Sequence, residues 1–545
     1  MLTNVIKNIS LNWRSGLSIA VVSVPLSISF AIASGGTPIM GLITSAWAGL
    51  VGALIGGSNF NVISPAGAFA GILTVVALTF GVGAIPVVTI MAGVLIYLGY
   101  LINIQKFLRF VPGGAVFGFT LGIAAIIAGT QINSALGLHD LAAHDSILMN
   151  IAESFRNISS LDVTATVIFA VFLILLLLLS RVFKKIPSII MVTPLGILLG
   201  WLVTKGHIGL HFLTLEGQYG ELGAQLLQIP GLYFDWGLVV PAITIALVGI
   251  LETMLSAKVA DSMTETRHDE RKEMRGLAIA NVVSGFVGGM PATGVLGPTV
   301  LNIKMGAVSR ISAVLKAVFV ALITLLFFGL FKFIPMPVIA AILFYVAITM
   351  VQAKKFLLYY NHDRYSLLIA VVVASLTLYR DPASGIVVGS FIGLLIFAEK
   401  VSRGSFRAVH NSRSSDKKIS LADEKKFISN HDYDILVYSV RGVLSHLSAE
   451  AHVQRLGDLD VSISSVIVRL REVAFVDIEG VEALDVIISM LKKKEVGVFL
   501  SGIDGELEKM LQAHSKYYNQ FKDSGKTYTK TRFALEHLGV PLRED

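Results

Sequence analysis

Long apolar runs separated by short polar connections fill the first 400 residues of the chain, and they fall into two sets of seven. The first set lies near residues 15–33, 38–57, 65–80, 83–103, 112–131, 161–183 and 188–204. The second set lies near residues 237–257, 276–290, 293–303, 311–330, 335–352, 366–380 and 384–398. A helix of about 20 apolar residues crosses a bilayer. The pattern therefore predicts an α-helical polytopic membrane domain over residues 1–400.

The third run of each set is too short to span and should be a half-helix. The stretch from Ser64 to Phe69 recurs in altered form from Met290 to Val295, and a Gly-Gly pair precedes each copy. Paired short segments broken by Gly or Pro mark the substrate site of many transporters, because irregular backbone at membrane depth survives only where it lines a cavity. Seven spans per half, an odd number, predict a 7+7 inverted repeat, about 10–205 and 233–400.

Composition supports a membrane protein and excludes several other classes. Hydrophobic residues make up 54% of the chain and charged residues 15%, against roughly 25% charged in soluble domains. The net charge of +7 forms no basic face interleaved with aromatic residues, so no nucleic-acid partner is expected. The chain has no Cys, and its loop histidines are expected to be solvated, so no metal site is predicted. No nucleotide-binding or catalytic motif is present, which predicts a gradient-driven process and no enzyme.

The distribution of basic residues predicts the orientation in the membrane. Cytoplasmic loops of membrane proteins are rich in Lys and Arg. With the N-terminus inside, the basic loop positions all fall on the cytoplasmic side: Lys106, Arg109, Arg181, Lys184, Lys185, Lys304, Arg310, Lys354, Lys355 and Arg364. The sequence thus predicts a multi-pass protein with both termini in the cytoplasm.

The two broken segments predict an anion site between opposed helix starts. Pro65 and Pro291 suit the first turn of a half-helix, whose leading N–H groups have no partner within the helix. Such helix starts attract anions. The predicted substrate-binding residues are Ala66, Gly67, Ala68, Phe69, Thr293, Gly294 and Val295. The alternative is that both segments are ordinary turns between helices.

Glu252 is the one acidic residue well inside a predicted span. An intramembrane carboxylate is costly and marks a functional site by default. We expect Glu252 to bind the coupling ion, which is a proton or Na⁺. Apart from Na⁺ in this role, no cofactor is expected. Ser256 lies one helical turn further and can add a hydroxyl ligand. The alternative is a structural carboxylate held by backbone N–H groups at a broken helix.

Beyond Ala398 the composition becomes polar. Residues 401–428 are interpreted as a linker and residues 429–545 as a small cytoplasmic α/β domain. Its predicted strands are Asp434 to Val440, Ser465 to Arg469 and Gly497 to Ser501, and its predicted helices are Ile478 to Lys493 and Gly505 to His514.

Several motifs together resemble the sulfate permease (SulP) family of anion transporters. They are Leu251 to Ala257 with Ala260, Asp261 and Thr264, Gly276 to Asn281, Gly288 to Gly294, and Asn302 to Ala307. The C-terminal segment resembles the STAS domain that these proteins carry. The resemblance implies a core domain and a gate domain, frequent homodimers, and substrates among sulfate, bicarbonate, halide and small dicarboxylates.

Two departures from the family pattern refine the expectation. Many relatives have an Arg in the second half-helix where this chain has Gly297-Pro298, and losing a positive charge disfavours a divalent anion more than a monovalent one. Glu479 replaces the Ser of STAS phospho-switches, so regulation or assembly through a cytoplasmic protein partner is expected instead.

The expected function is secondary-active transport of bicarbonate or sulfate across a bacterial inner membrane. Coupling to Na⁺, coupling to H⁺ and anion exchange all stay open, with an alternating-access, elevator-like mechanism. The alternatives are a nucleobase permease of the same architecture and an anion channel or sensor that signals through the STAS domain.

Overall fold

The computed structural model describes the chain in two compact units. The described residues are 2–138, 141, 144, 146–183, 186–220, 223, 225–231, 233–402, 405–411, 435–457, 463–503 and 505–539. One unit is 1–393 and the other 394–545.

The helices of both repeats lie where the hydropathy pattern predicts them. Those of the first repeat are α1 (Leu2–Ala33), α2 (Pro38–Ile55), α3 (Ala70–Phe80), α4 (Ala84–Leu101), α5 (Gly113–Thr130), α6 (Ile132–Leu136), α7 (Ile147–Arg156), α8 (Val163–Val182) and α9 (Ser188–Thr204). The chain continues with α10 (Leu215–Tyr219), α11 (Val239–Thr264), α12 (Glu270–Phe286), α13 (Leu296–Lys304), α14 (Ile311–Phe331), α15 (Met336–Met350), α16 (Ala353–His362), α17 (Arg364–Tyr379) and α18 (Pro382–Ser402). Without the short helices α6, α7, α10 and α16, each repeat has the seven predicted segments.

Most of these helices are long and apolar enough to cross a bilayer. Within the described residues nine reach at least 18 residues with high mean hydropathy, and three shorter apolar helices lie at Gly67–Phe80, Ser188–Thr204 and Arg364–Tyr379. At 1.5 Å per residue, the half-helices α3 and α13 are only about 16 Å and 14 Å long, half of the roughly 30 Å of hydrocarbon. Two half-helices in an inverted repeat are thus confirmed.

The helices divide into a core domain and a gate domain. In the core, α1 packs on α2 and α14, α2 packs on α12 and α14, and α4 packs on α11 and α12. In the gate, α5 packs on α15 and α17, and α8 packs on α9 and α15. Glycines permit close crossings, because a Cβ at Gly93 would press on Val282 of α12 and one at Gly118 would press on Ala370 of α17. Both half-helices belong to the core.

The C-terminal unit is a five-stranded sheet covered by short helices. After β1 (Ile63–Pro65) and β2 (Ala292–Gly294) of the membrane unit, its strands are β3 (Ser405–Asn411), β4 (Ile435–Leu444), β5 (Ser465–Val476), β6 (Gly497–Ser501) and β7 (Thr527–Tyr528). The helices are α19 (Ala449–Gly457), α20 (Ile478–Lys493), α21 (Gly505–His514), α22 (Tyr518–Asp523) and α23 (Thr531–His537). The strands lie in sequence order, with β3 antiparallel to β4 and the other pairs parallel. The predicted α/β class is confirmed.

Part of the predicted linker has regular structure. Ser405–Asn411 forms β3 and pairs with β4 along its whole length, from Ser405 opposite Arg441 to Asn411 opposite Ile435. This stretch therefore belongs to the sheet of the C-terminal domain. Residues 403–404 and 412–428 of the predicted linker, and Asp434 of the first predicted strand, lie outside the described residues.

Asp477 stabilises the start of α20. Its carboxylate accepts the N–H of Gly480 at 2.8 Å and the N–H of His446 at 3.1 Å. Burial by itself would raise the pKa of Asp477, but hydrogen bonds from Gly480 and His446 prevail and lower it. A carboxyl whose pKa is lower in the folded state contributes stability above its unfolded pKa, and the contribution is lost as the pH falls through the folded pKa.

We expect Asp477→Ala to destabilise α20 by about 1 kcal/mol, because the first turn loses its N-cap acceptor. Hydrogen exchange in the full-length protein at pH 7 should show faster exchange in α20. The difference in exchange between the variant and wild type should shrink as the pH falls below the pKa of an ordinary Asp side chain. Asp523→Ala, at an exposed position of α22, is the control. Equal exchange of α20 in wild type and Asp477→Ala would contradict the assignment.

Candidate functional site

The two repeats meet in a two-stranded antiparallel sheet inside the core domain. Ile63 lies opposite Gly294, Ser64 opposite Thr293, and Pro65 opposite Ala292. The segments predicted to correspond are therefore direct neighbours in space. Each strand leads into its half-helix, so the sheet fixes the two helix starts relative to each other.

The two prolines lie in extended backbone and do not open the half-helices. Pro65 is the last residue of β1, and Pro291 directly precedes β2. A 3₁₀ turn at Gly67–Phe69 precedes α3, and α13 begins at Leu296. The expectation that the prolines occupy the first helical turn was wrong, because the fixed φ of proline fits extended chain as well as a helix start.

The free donors of the second half-helix lie further along the chain than predicted. The N–H of Gly294 is donated to Thr253 Oγ1 at 2.9 Å, and the N–H of Val295 to the carbonyl of Val62 at 3.0 Å. Neither N–H is available to a ligand, which corrects the expectation of unpaired groups there. In the described part of the chain no partner is found for the N–H groups of Leu296 and Gly297, which form the first turn of α13.

The first half-helix keeps two of the predicted donors. No hydrogen bond is found for the N–H groups of Gly67 and Ala68 within the described residues, whereas the N–H of Ala66 is directed at the sheet by the pairing of Pro65 with Ala292. Phe69 is fully buried and closes the turn. A Cβ at Gly67 would press on Ile127 of α5 and on Phe30 of α1, so this helix start lies against the gate domain.

The two helix starts differ in exposure. Every residue from Ala66 to Ala70 is buried, whereas Leu296 is 42% exposed and Gly297 has no atom within 4 Å of its Cβ position. In this conformation the start of α13 lies at the protein surface and the start of α3 does not.

Thr293 holds the second strand to α11. Its hydroxyl donates to the carbonyl of Gly249 at 3.1 Å and lies 2.9 Å from Thr253 Oγ1. The Thr293 side chain is fully buried. The expected role of this hydroxyl as a donor to substrate therefore does not match its contacts in this conformation.

Glu252 has a carboxylate with no protein partner. It precedes Thr253 on α11, is partly exposed, and takes part in no hydrogen bond or ion pair in the described part of the chain. The alternative of a carboxylate held by backbone N–H groups does not describe Glu252. Ser256, the predicted second ligand, is fully buried and donates to Asn61 Oδ1 at 2.7 Å.

A buried polar network that the sequence did not indicate supports the sheet. Glu273 is 2% exposed. One of its oxygens accepts the N–H groups of Gly57 and Ser58 at 2.7 Å and 2.8 Å, and the other accepts Asn61 Nδ2 at 2.7 Å. Glu273 lies in the charged run 261–275, which hydropathy alone marks as a solvated connector. It is the structural carboxylate of the core.

A second unpredicted residue is Lys316, which is fully buried in α14. Its Nζ donates to the hydroxyls of Ser45 and Ser64 at 2.8 Å and 2.7 Å. The signal was a single lysine within the apolar run 311–330. Lys316 is a positive charge outside the second half-helix, and it weakens the predicted preference for a monovalent anion.

One apolar cavity in the described part of the chain lies away from the helix starts. Its volume is about 590 Å³, and its lining includes Pro25 of α1, Pro194 of α9 and Phe327 of α14. No residue of β1, β2, α3 or α13 lines it. Its lining is almost entirely apolar, with Thr193 and Trp201 as the residues that carry a polar side-chain group. A small anion needs more donors than this, so the half-helices are the better candidate for the functional site.

The geometry suits a small anion better than a neutral or cationic solute. Unpaired N–H groups at a helix start carry roughly half a positive charge, and the helix dipole adds to their attraction for an anion. The short side chains of Ala66, Gly67 and Gly297 leave the backbone approachable. An inverted-repeat membrane domain with two half-helices is the architecture of secondary transporters.

The chain belongs to the sulfate permease family. The profile of that family matches residues 11–373, and the STAS domain profile matches residues 426–524. YvdB of Bacillus subtilis is 30% identical over 511 residues, covering 91% of this chain and 92% of YvdB. The bicarbonate transporter BicA of Picosynechococcus is 25% identical, covering 93% of this chain and 91% of BicA. The chain is therefore an anion transporter with a STAS domain, which favours the carrier prediction over the nucleobase permease.

A solved structure has the same fold. The murine anion transporter Slc26a9 in its inward-facing state superposes with a TM-score of 0.79 at 15% identity, covering 98% of this chain and 92% of that one. At this identity the likeness concerns the fold alone.

We expect Gly297→Val to weaken anion binding at least tenfold, because the new side chain would cover the free N–H groups at the start of α13. Its Cβ meets no neighbouring atom, so folding should be preserved. Calorimetry with sulfate and with bicarbonate in detergent measures the effect. Gly329→Val on α14 is the control, since its Cβ is equally unobstructed. Wild-type affinity in Gly297→Val would show that the start of α13 is not the site.

Proposed function

We propose that this protein is a secondary-active carrier of a small inorganic anion, bicarbonate or sulfate. The observation that carries the proposal is the pair of half-helix starts, which β1 and β2 join. Their N–H groups at Gly67, Ala68, Leu296 and Gly297 have no partner within the described residues. An anion held by backbone N–H groups needs no basic side chain in direct contact.

The contacts between core and gate support an elevator-like movement. Both half-helices belong to the core, so substrate would move with that domain. In the described residues no direct hydrogen bond or ion pair joins α1, α2, α4, α11 or α12 to a gate helix. A polar link lies at the end of α14, where Lys332 pairs with Glu216 of α10 at 3.1 Å. The contact is apolar where Gly67 faces Ile127. An interface with few specific polar bonds can slide at low cost, as alternating access requires.

We propose Glu252 as the coupling residue. Its carboxylate is the partner-free acid on α11, adjacent in sequence to Thr253, which holds the N–H of Gly294. A proton or Na⁺ bound there would offset the charge of the incoming anion and reduce the cost of moving it through the membrane. Anion exchange is the competing mode and needs no coupling cation.

The proposed setting is a bacterial inner membrane, with both termini in the cytoplasm and the protein as a homodimer. The basic residues of the predicted inner loops support this orientation. The STAS domain would then lie in the cytoplasm, where a protein partner can reach it.

Uptake into liposomes tests the carrier proposal. Purified protein is reconstituted and supplied with labelled bicarbonate or sulfate under a Na⁺ gradient, a pH gradient, or an opposing anion gradient. Accumulation above equilibrium under one of these gradients is expected. Flux that only follows the anion gradient would favour a channel, and binding without flux would favour a sensor.

We expect Glu252→Gln to abolish cation-driven accumulation while leaving folding nearly unchanged, because Glu252 makes no bond that the amide would lose. The measurement is uptake under the gradient that drives wild type, together with the unfolding temperature. Glu273→Gln is the matched comparison. It removes the charge that accepts the N–H groups of Gly57 and Ser58, so it should lower the unfolding temperature instead. Unchanged accumulation by Glu252→Gln would rule out cation coupling through this carboxylate.

A further inference from the structure

Lys316 is an ammonium group sealed inside the core domain. Its side chain has no exposed surface. Nζ donates to four oxygens: the carbonyl of Ser45 at 3.0 Å, the hydroxyl of Ser45 at 2.8 Å, the carbonyl of Ile63 at 3.3 Å and the hydroxyl of Ser64 at 2.7 Å. Carbonyl oxygens can only accept hydrogen bonds. A set of four oxygen acceptors around Nζ therefore fits a charged ammonium group, which has three protons to donate.

The charge of Lys316 has no counter-charge beside it. In the part of the chain that the structure describes, Lys316 forms no ion pair. Burying an unpaired charge is costly even when its hydrogen bonds are made. Gly49 of α2 makes room for it, since a Cβ there would lie 3.2 Å from Nζ and 3.2 Å from the carbonyl of Ile63. A site built around an uncompensated charge suggests that an anion supplies the missing counter-charge.

Lys316 lies behind the sheet that joins the two half-helices. Its Nζ donates hydrogen bonds to Ile63 and Ser64 of β1. These residues come four and three positions before Gly67 at the first helix start. Ser64 lies opposite Thr293, three residues before Leu296 at the second start. With a strand rise of about 3.3 Å per residue, the first helix start lies roughly 10 Å from Ser64 and the second roughly 10 Å from Thr293, which sets the scale of the distance to Lys316.

We propose that Lys316 is the specificity-determining residue for anion charge. It acts at a distance through its field and does not touch the substrate. The proposal rests on the proposed anion site and adds the residue that sets its preference between divalent and monovalent anions. It gives this chain a positive charge that the first turn of α13, Leu296 to Thr299, lacks.

The size of the effect follows from Coulomb's law. At roughly 10 Å and an effective dielectric constant of about 20, one unit charge changes the affinity for a monovalent anion on the order of tenfold and for a divalent anion on the order of a hundredfold. Neutralising Lys316 should therefore change the ratio of the two affinities about tenfold. A purely structural role would weaken both anions by the same factor.

The test compares sulfate with perchlorate, two tetrahedral anions that differ in charge. Dissociation constants are measured by calorimetry on the full-length protein in detergent. Lys316→Met removes the charge, and the Ser45 and Ser64 hydroxyls, which lie 3.3 Å apart, can then bond to each other. Ser45→Asp neutralises the charge in place and covers the case in which Lys316→Met fails to fold. Ser45→Ala removes one hydrogen bond and keeps the charge.

We expect both neutralising variants to lower the preference for sulfate over perchlorate about tenfold and Ser45→Ala to leave the ratio at its wild-type value. The proposal is overturned if the neutralising variants bind both anions with the wild-type ratio, or if Ser45→Ala shifts the ratio equally. Absence of anion binding in wild type would contradict the proposed function itself, which separates the two failures.

Discussion

The structure depends on satisfying broken backbone within a membrane domain. Two helices stop halfway, and an unpaired backbone group in lipid costs several kcal/mol. The core meets this requirement by pairing β1 with β2 and by tying the second strand to α11 through Thr293 and Thr253. Asn281 adds a two-way bond with Ala292, donating to its carbonyl at 3.0 Å and accepting its N–H at 2.9 Å. Within the described residues of these two broken segments, N–H groups without a partner lie at the two helix starts, where a ligand can pair with them.

The duplication of the strand and half-helix explains how the site forms. The two copies differ in exposure, and this difference is relevant to the mechanism. Each repeat contributes one strand and one half-helix. A single strand would leave its backbone N–H and C=O groups without partners, and pairing with the strand of the other repeat supplies them. The two starts are nonetheless unequal, since Ala66 to Ala70 are buried and Leu296 and Gly297 are exposed. The buried start faces the gate at Ile127. In the proposed elevator-like mechanism, movement of the core past the gate would change which solutes reach the site.

Sequence patterns predicted what depends on neighbouring residues and missed what depends on distant ones. The helices follow from hydropathy, and α20 begins and ends at the predicted residues because local periodicity and the Asp477 cap define it. Pro65 and Pro291 were misplaced because proline fits both a helix start and extended chain. The N–H of Gly294 donates a hydrogen bond to Thr253, which lies 41 positions away in the sequence. The partners of Lys316 lie 252 to 271 positions away, so only its isolation in an apolar run could have drawn attention to it.

Glu252 and Lys316 are oppositely charged groups of the core, and neither forms an ion pair in the described part of the chain. In the proposed mechanism one cation at Glu252 and one monovalent anion near Lys316 together leave the net charge of the core as it is when empty. Each loaded ion also gains a counter-charge that it lacks when bound alone, which favours joint over single occupancy. Loading one ion alone changes the net charge of the core by one unit, and moving that additional charge through a low-dielectric layer is costly. That cost is the physical basis of coupling in such a carrier.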